Sequence, residues 1–166
     1  MILKLKTSVT KFEKAMLIIL AIVLFLFVSF LLFFFKAYQP MLVAKTQVRA
    51  IAKSAAGMQK VKKFYHFNRK KTYYAMQGRD NNNQEIYVIV PESGLKITVI
   101  KKDQGITEEE AASLIKKSAQ KVISTNIGLY DDKPVWEVIT KSDSKKFNYY
   151  LLDFKTGKNV KKMKGI

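Results

Sequence analysis

The chain has 166 residues, 48% hydrophobic and 26% charged, and its 30 Lys or Arg against 13 Asp or Glu give a formal charge of +17. With no cysteine and a single histidine, disulfides, thiol nucleophiles, cysteine-based zinc sites and most histidine metal or triad chemistry are excluded. The length suits one or two small domains, and this inventory argues against an enzyme.

Residues 1–14 form a basic tail carrying Lys4, Lys6, Lys11 and Lys14. Residues 15–35 then run without a charge, a proline or a glycine. At roughly 1.5 Å per residue this stretch makes a helix of about 30 Å, the thickness of a bilayer's hydrocarbon core. It is too long for the apolar part of a cleaved signal peptide, and no small-x-small site follows it. A retained transmembrane anchor is expected. Lys36, Lys45, Arg49 and Lys53 follow it, so charge counting nearly balances across the span. The dense lysines before the first span, and the ability of a long domain to translocate whatever its charge, favour a cytoplasmic N-terminus and an extracytoplasmic C-terminal domain.

A link at 36–42 contains Pro40. Val43 to Met58 then places Ala44, Val48, Ile51, Ala55 and Met58 on one stripe, with Lys45, Arg49 and Lys53 on the wet side, which predicts an amphipathic helix closed by Lys60 to Lys63. Strands are predicted at Phe64–Phe67, Thr72–Gln77, Glu85–Val90 and Leu95–Ile100, separated by residues that turn readily. After Asp103 to Gly105 a second helix opens with a Thr107–Glu110 capping box. Its stripe is Ala111, Leu114, Ile115, Ser118 and Val122. Strands follow at Ile123–Leu129, Val135–Thr140, Phe147–Phe154 and Asn159–Met163.

The two halves align on each other. Lys71-Thr72-Tyr73-Tyr74 matches Lys133-Pro134-Val135-Trp136, and Pro91-Glu92-Ser93-Gly94 matches Phe154-Lys155-Thr156-Gly157, with one residue of slip between. The expected organisation is therefore a first unit at 43–102 and a second at 103–166. Each is a helix and an antiparallel meander in two α+β layers. Neither is large enough to be comfortable alone.

Thr72-Tyr73-Tyr74 with Gly78-Arg79-Asp80, and Val135-Trp136-Glu137-Val138 with Asp153-Phe154 and Thr156-Gly157, in a chain with a basic start and one anchor, resemble the TseB-like (YpmB) membrane proteins of Gram-positive bacteria. The resemblance implies tandem PepSY-like, cystatin-like units. It also implies a regulator of cell wall elongation and peptidoglycan synthesis that does no chemistry and associates with a penicillin-binding protein. Related PepSY domains suggest an alternative, the restraint of an extracellular peptidase, and a structural subunit of a membrane complex is a third reading.

Tyr73, Tyr87, Trp136 and Tyr149 are candidates for a partner surface, because such rings give large amphipathic contact area. Strand alternation sends half of them inward, and for Trp136 core packing is favoured over partner contact. An open sheet edge offers another docking mode. Lys60, Lys62, Lys63, Arg69, Lys70 and Lys71 form one basic cluster; Lys155, Lys158, Lys161, Lys162 and Lys164 form another. Outside a Gram-positive membrane these would attract teichoic acid or anionic lipid headgroups. Nucleic acid is not expected, since no recognition motif is present. His66 reads as a surface strand residue. Asp131-Asp132 and Glu108-Glu109-Glu110 are explained by a turn and a helix start, and the glycines build no phosphate loop. No catalytic residue, metal ligand or cofactor is expected.

Overall fold

The computed structural model describes residues 10–94, 96–116 and 121–165. Lys4 and Lys6 of the basic tail, together with Leu95 and Ser118, lie outside the described residues. The chain divides into two compact units, Met1–Val43 and Ala44–Ile166.

Helix α1 spans Lys11–Ala56 and is long and apolar enough to cross a membrane. It opens on a reciprocal cap, in which the Thr10 N–H donates to Glu13 Oε2 (2.7 Å) and the Glu13 N–H to Thr10 Oγ1 (3.3 Å). The backbone of the expected link at 36–42 is helical. Proline's fixed φ suits a helix and its missing N–H removes one bond, while Lys36, Gln39, Met41 and Leu42 are good helix formers. The helix ends at Gly57, whose φ of +60° is the left-handed geometry a glycine supplies at this position.

Strands β1 (Lys60–Asn68), β2 (Thr72–Arg79), β3 (Glu85–Pro91) and β4 (Thr98–Lys101) form one antiparallel sheet in that order. A short 3₁₀ turn (Lys102–Gln104) and helix α2 (Glu108–Lys116) lead to β5 (Lys121–Tyr130), β6 (Lys133–Lys141), β7 (Phe147–Asp153) and β8 (Asn159–Met163), which form the second sheet in order. Lys60 to Lys63 begin β1 instead of closing a helix. The α2 cap is as expected, with Thr107 N–H to Glu110 Oε2 at 2.7 Å and Glu110 N–H to Thr107 Oγ1 at 3.1 Å.

The sheets share several irregularities. A bulge lies between Val61 and Lys63 in β1 and between Val122 and Ser124 in β5. The second hairpin of each sheet closes on a residue with φ of 62°, Asn83 in one and Lys145 in the other. Gly94 and Gly157 both take positive φ in the third connection.

Alternation along the strands gives the first sheet two buried faces. One carries Met76, Ile86, Val88 and Val90, which pack with Val48 and Ala52 of α1 and with Met58. In the predicted stripe Ala55 is exposed and Ala52 takes its place, four residues after Val48. The other face carries Tyr65, Phe67, Tyr73, Ala75, Tyr87 and Ile89 and shares one core with Ala111 and Ile115 of α2 and with the second sheet. Leu114 is exposed instead, and Val122 falls in β5. Being covered on both sides explains why β3 is buried from Ile86 to Val90 and reads as an unbroken apolar run.

Candidate functional site

Three of the four aromatic residues proposed as a partner surface lie inside the molecule. Trp136 and Tyr87 are 0% and 1% exposed and Tyr73 is buried with them, so Tyr73 and Tyr87 are corrected from surface to core, and Trp136 takes the core packing favoured for it. The Trp136 ring meets Tyr87 edge-on at 5.5 Å and Tyr65 at 5.9 Å, and Tyr87 meets Phe154 at 6.0 Å. These are favoured edge-to-face contacts, and they join strands of both sheets. Indole N–H satisfaction fixes the ring, since Trp136 Nε1 donates to the Ile106 carbonyl at 2.9 Å. Tyr149 alone stays half-exposed, with the Arg69 guanidinium 4.1 Å above its ring.

The two basic clusters part company. In the first, Lys62 pairs with Glu85, Lys63 with Glu108, Arg69 with Glu137 and Lys70 with Asp131. Lys60 and Lys71 are exposed and make no ion pair among the described residues. Most of this cluster is therefore spent inside the protein. Arg69 and Lys70 reach from the β1–β2 turn to the second sheet, where Glu137 is 2% exposed and also receives the Asn126 amide at 3.4 Å.

The second cluster is open. Lys155, Lys158, Lys161, Lys162 and Lys164 are all exposed and none pairs with a carboxylate among the described residues. Lys161 donates to the Tyr130 hydroxyl at 3.0 Å, and the Lys162 ammonium sits 5.0 Å over the Tyr150 ring. Loss of solvation and, next, the neighbouring Lys164 hold Lys162 below its ordinary value. These residues crowd β8, which ends the sheet order and pairs with β7 alone. Its other side presents free backbone N–H and C=O groups. Val160 is exposed on the same strand.

A second basic feature lies in the Ala44–Ile166 unit, where α1 meets β1. A groove of about 270 Å³ there is lined by Lys45 and Arg49 of α1, by residues 61–64 of β1 and by Met76, while the ammonium groups of Lys62 and Lys63 are drawn to Glu85 and to Glu108 of α2. Sequence reasoning had Lys45 and Arg49 only as the wet side of a helix. Their i, i+4 spacing signals a shared face, but the strand that completes the groove is brought there by the fold.

The carboxylates are structural. Glu85 receives Lys102 at 2.8 Å as well as Lys62, and these two cations hold it down to about 2. The Tyr65 hydroxyl lies 2.9 Å from Glu108 and 3.0 Å from Gln77. Burial, and then the Glu108 charge, hold that phenol well above the ordinary tyrosine range, so it acts as a hydrogen-bond donor. His66 is exposed and stacks on Tyr74 at 5.2 Å. Among the described residues no group of three His, Cys, Asp or Glu converges to hold a metal.

A family model described as the cell wall elongation regulator TseB-like domain matches residues 49–91, from the last turns of α1 through β3. A Bacillus subtilis (strain 168) protein described as probable cell wall elongation regulator TseB is 28% identical over 116 residues, 68% of this chain and 71% of that one. The solved structure of the YpmB protein from Bacillus subtilis superposes with a TM-score of 0.63 at 27% identity, covering 72% of this chain and 95% of that chain. The chain is TseB-like. The span matched by the TseB-like domain model includes Arg49, the paired lysines of β1 and the Arg69 turn, and it stops short of the open lysines of β8.

Proposed function

We propose that this protein is a non-catalytic, membrane-anchored regulator of cell wall elongation that acts through a penicillin-binding protein. The observation that carries the reading is its similarity, over 116 residues, to a protein described as a cell wall elongation regulator. On this reading residues 15–35 of α1 are the anchor, the N-terminus is cytoplasmic and the Ala44–Ile166 unit stands outside. That unit is a tandem of cystatin-like, PepSY-like repeats, each a helix on its own sheet.

The binding element is the free edge of β8. A partner strand added there gains backbone hydrogen bonds, and side chains on alternate faces set its specificity. Lys161 and Lys162 face opposite sides of the sheet, so an incoming segment with acidic residues on either face meets a cation. Such lysines also discourage pairing between copies of the edge, which leaves it open for a charged partner. The same cations would draw the unit toward teichoic acid over a range set by ionic strength.

A photoreactive residue at Val160, in intact cells, tests this. Capture of a penicillin-binding protein from Val160, and not from a control site at Ser54 on α1, is the expected result. Capture of cytoplasmic proteins alone would overturn both the orientation and the wall reading. A purified chain that slows an extracellular peptidase, with no penicillin-binding protein captured, would move the assignment to peptidase restraint.

A further inference from the structure

We infer that the uncovered half of the second sheet, on the face that carries Tyr149, is a docking surface for an acidic amphipathic helix of another protein. Strand register defines the surface. Ile139, Tyr149 and Met163 are cross-strand partners along β6, β7 and β8, and Lys121, Lys141 and Phe147 form the next row across β5, β6 and β7. Residues paired in this way, or two apart on one strand, point to the same face. Further along that face Glu137 and Leu151 are buried, and the Phe67 ring lies against Gly128. The first repeat therefore covers one end of the face and stops short of the other. At the open end Phe147 is 37% exposed, Ile139, Tyr149 and Met163 are half-buried, and none of the four belongs to either core.

Charge decides the occupant. Lys121 and Lys141 stand directly opposite each other across β5 and β6, an arrangement of like charges that destabilises a sheet. Neither makes an ion pair among the described residues, and the Lys141 ammonium sits 5.5 Å over the Phe147 ring. Arg69, over Tyr149, is already neutralised by Glu137. The adjoining β6–β7 turn adds Lys145 and Lys146 against Asp143. A second copy would bring the same cations to the same place and be repelled, whereas an acidic partner relieves the repulsion.

Geometry gives the partner's form. On β6 and β7 the backbone groups are already paired to strands on both sides, so a strand laid on this face gains no ladder. Four strands about 4.8 Å apart make a surface about 14 Å wide, which takes one helix about 10 Å across. The two rows lie about 7 Å apart along the strands, near the roughly 5–6 Å between helix residues one turn apart. The occupant is a helix with two bulky apolar residues at i and i+4 and acidic residues beside them.

The full chain in a non-ionic detergent is titrated into fluorescein-labelled helical peptides, with binding read as fluorescence anisotropy. One probe is rich in Glu and Ala with leucines at i and i+4; the other has the same composition with its leucines at i and i+2, on different faces. The first is expected to bind about tenfold more tightly. Phe147→Ser is expected to weaken it about tenfold, and Lys121→Glu with Lys141→Glu by more, whereas Lys155→Gln with Lys158→Gln leaves it unchanged. Phe147→Tyr keeps binding, and native Trp136 emission shows that each variant is folded. Equal binding of the two probes, or no loss in Phe147→Ser, overturns the inference. Loss confined to the β8 lysine pair would place the peptide at the sheet edge, and a mass that grows with the chain's own concentration and is relieved by Phe147→Ser would make the surface an interface between copies; either overturns it. No penicillin-binding protein enters the experiment, so a failed capture at Val160 leaves its result standing.

Discussion

Glu85 shows how far a single side chain is committed to the fold. It draws Lys102 and Lys62 directly, with Arg79 at 3.8 Å, and its carboxyl is held down to about 2 from an ordinary 4.5. A carboxyl whose folded value is depressed contributes its full stability above the unfolded value and loses it as pH falls toward the folded one. The loss therefore runs between about pH 4.5 and about pH 2. Exposure of the lysines and screening reduce it to roughly 1 kcal/mol or less. Urea midpoints are expected to fall more steeply through that window for the native chain than for Glu85→Gln, and parallel curves would refute the assignment. Two further residues carry strain. Asp131 and Asp132 close the β5–β6 hairpin with φ of 50° and 59°, the two positive angles of a type I′ turn. Holding a side chain there costs about 1–2 kcal/mol, partly offset in glycine by its freer unfolded state. Asp132→Gly is expected to stabilise by about 0.5 kcal/mol in thermal or urea unfolding, while the same change at Asp131 also removes the Lys70 pair.

The β1–β2 turn is the element that ties the sheets together from outside the core. Arg69 reaches a nearly inaccessible Glu137 and covers Tyr149, whereas Lys70 and Asp131 meet in open solvent, 62% and 63% exposed. Breaking a buried pair strands a charge, at a cost of about 3–5 kcal/mol, while an exposed pair is worth about 0–1 kcal/mol. Arg69→Ala is therefore expected to cost several times what Lys70→Ala costs. The paired apolar replacement Arg69→Met with Glu137→Leu should recover most of the loss. Comparable losses for the two single variants would show that Glu137 keeps access to water. This turn also marks where sequence reading stops. Helix α2, the eight strands and the repeat of two meanders are visible because alternation, capping and turn residues are local signals. Arg69 belongs to such a local signal, and in sequence it is only part of a basic run. Its partner lies on another sheet, and no spacing announces it. The candidate surface failed for the same reason: period-two alternation puts Tyr73, Tyr87 and Trp136 on one face or the other, and only the packing of one sheet against the next decides which faces stay dry.

In the Ala44–Ile166 unit, two repeats of about sixty residues each would be marginal by themselves, so their shared core has to carry both. Tyr65 and Tyr87 from one sheet and Trp136 and Phe154 from the other form that seam. Gly128 lets it close, because a Cβ there would collide with the Phe67 ring and Phe67 is fully buried. Sharing of this kind predicts one cooperative transition in place of two. Trp136 is the only tryptophan, and its emission reports the seam, while the near-ultraviolet dichroism of the tyrosines reports both sheets. With the full chain in detergent, the two signals are expected to change at one urea midpoint. Trp136→Ala, which removes the ring and leaves the Ile106 carbonyl without its donor, is expected to cost about 3–5 kcal/mol and to shift the tyrosine signals of both sheets by the same amount. A tyrosine transition that splits in two, with one part unmoved by Trp136→Ala, would mean that each repeat stands alone. The seam would then be a contact between finished domains, and the free edge of β8 would move independently of the Arg49 groove.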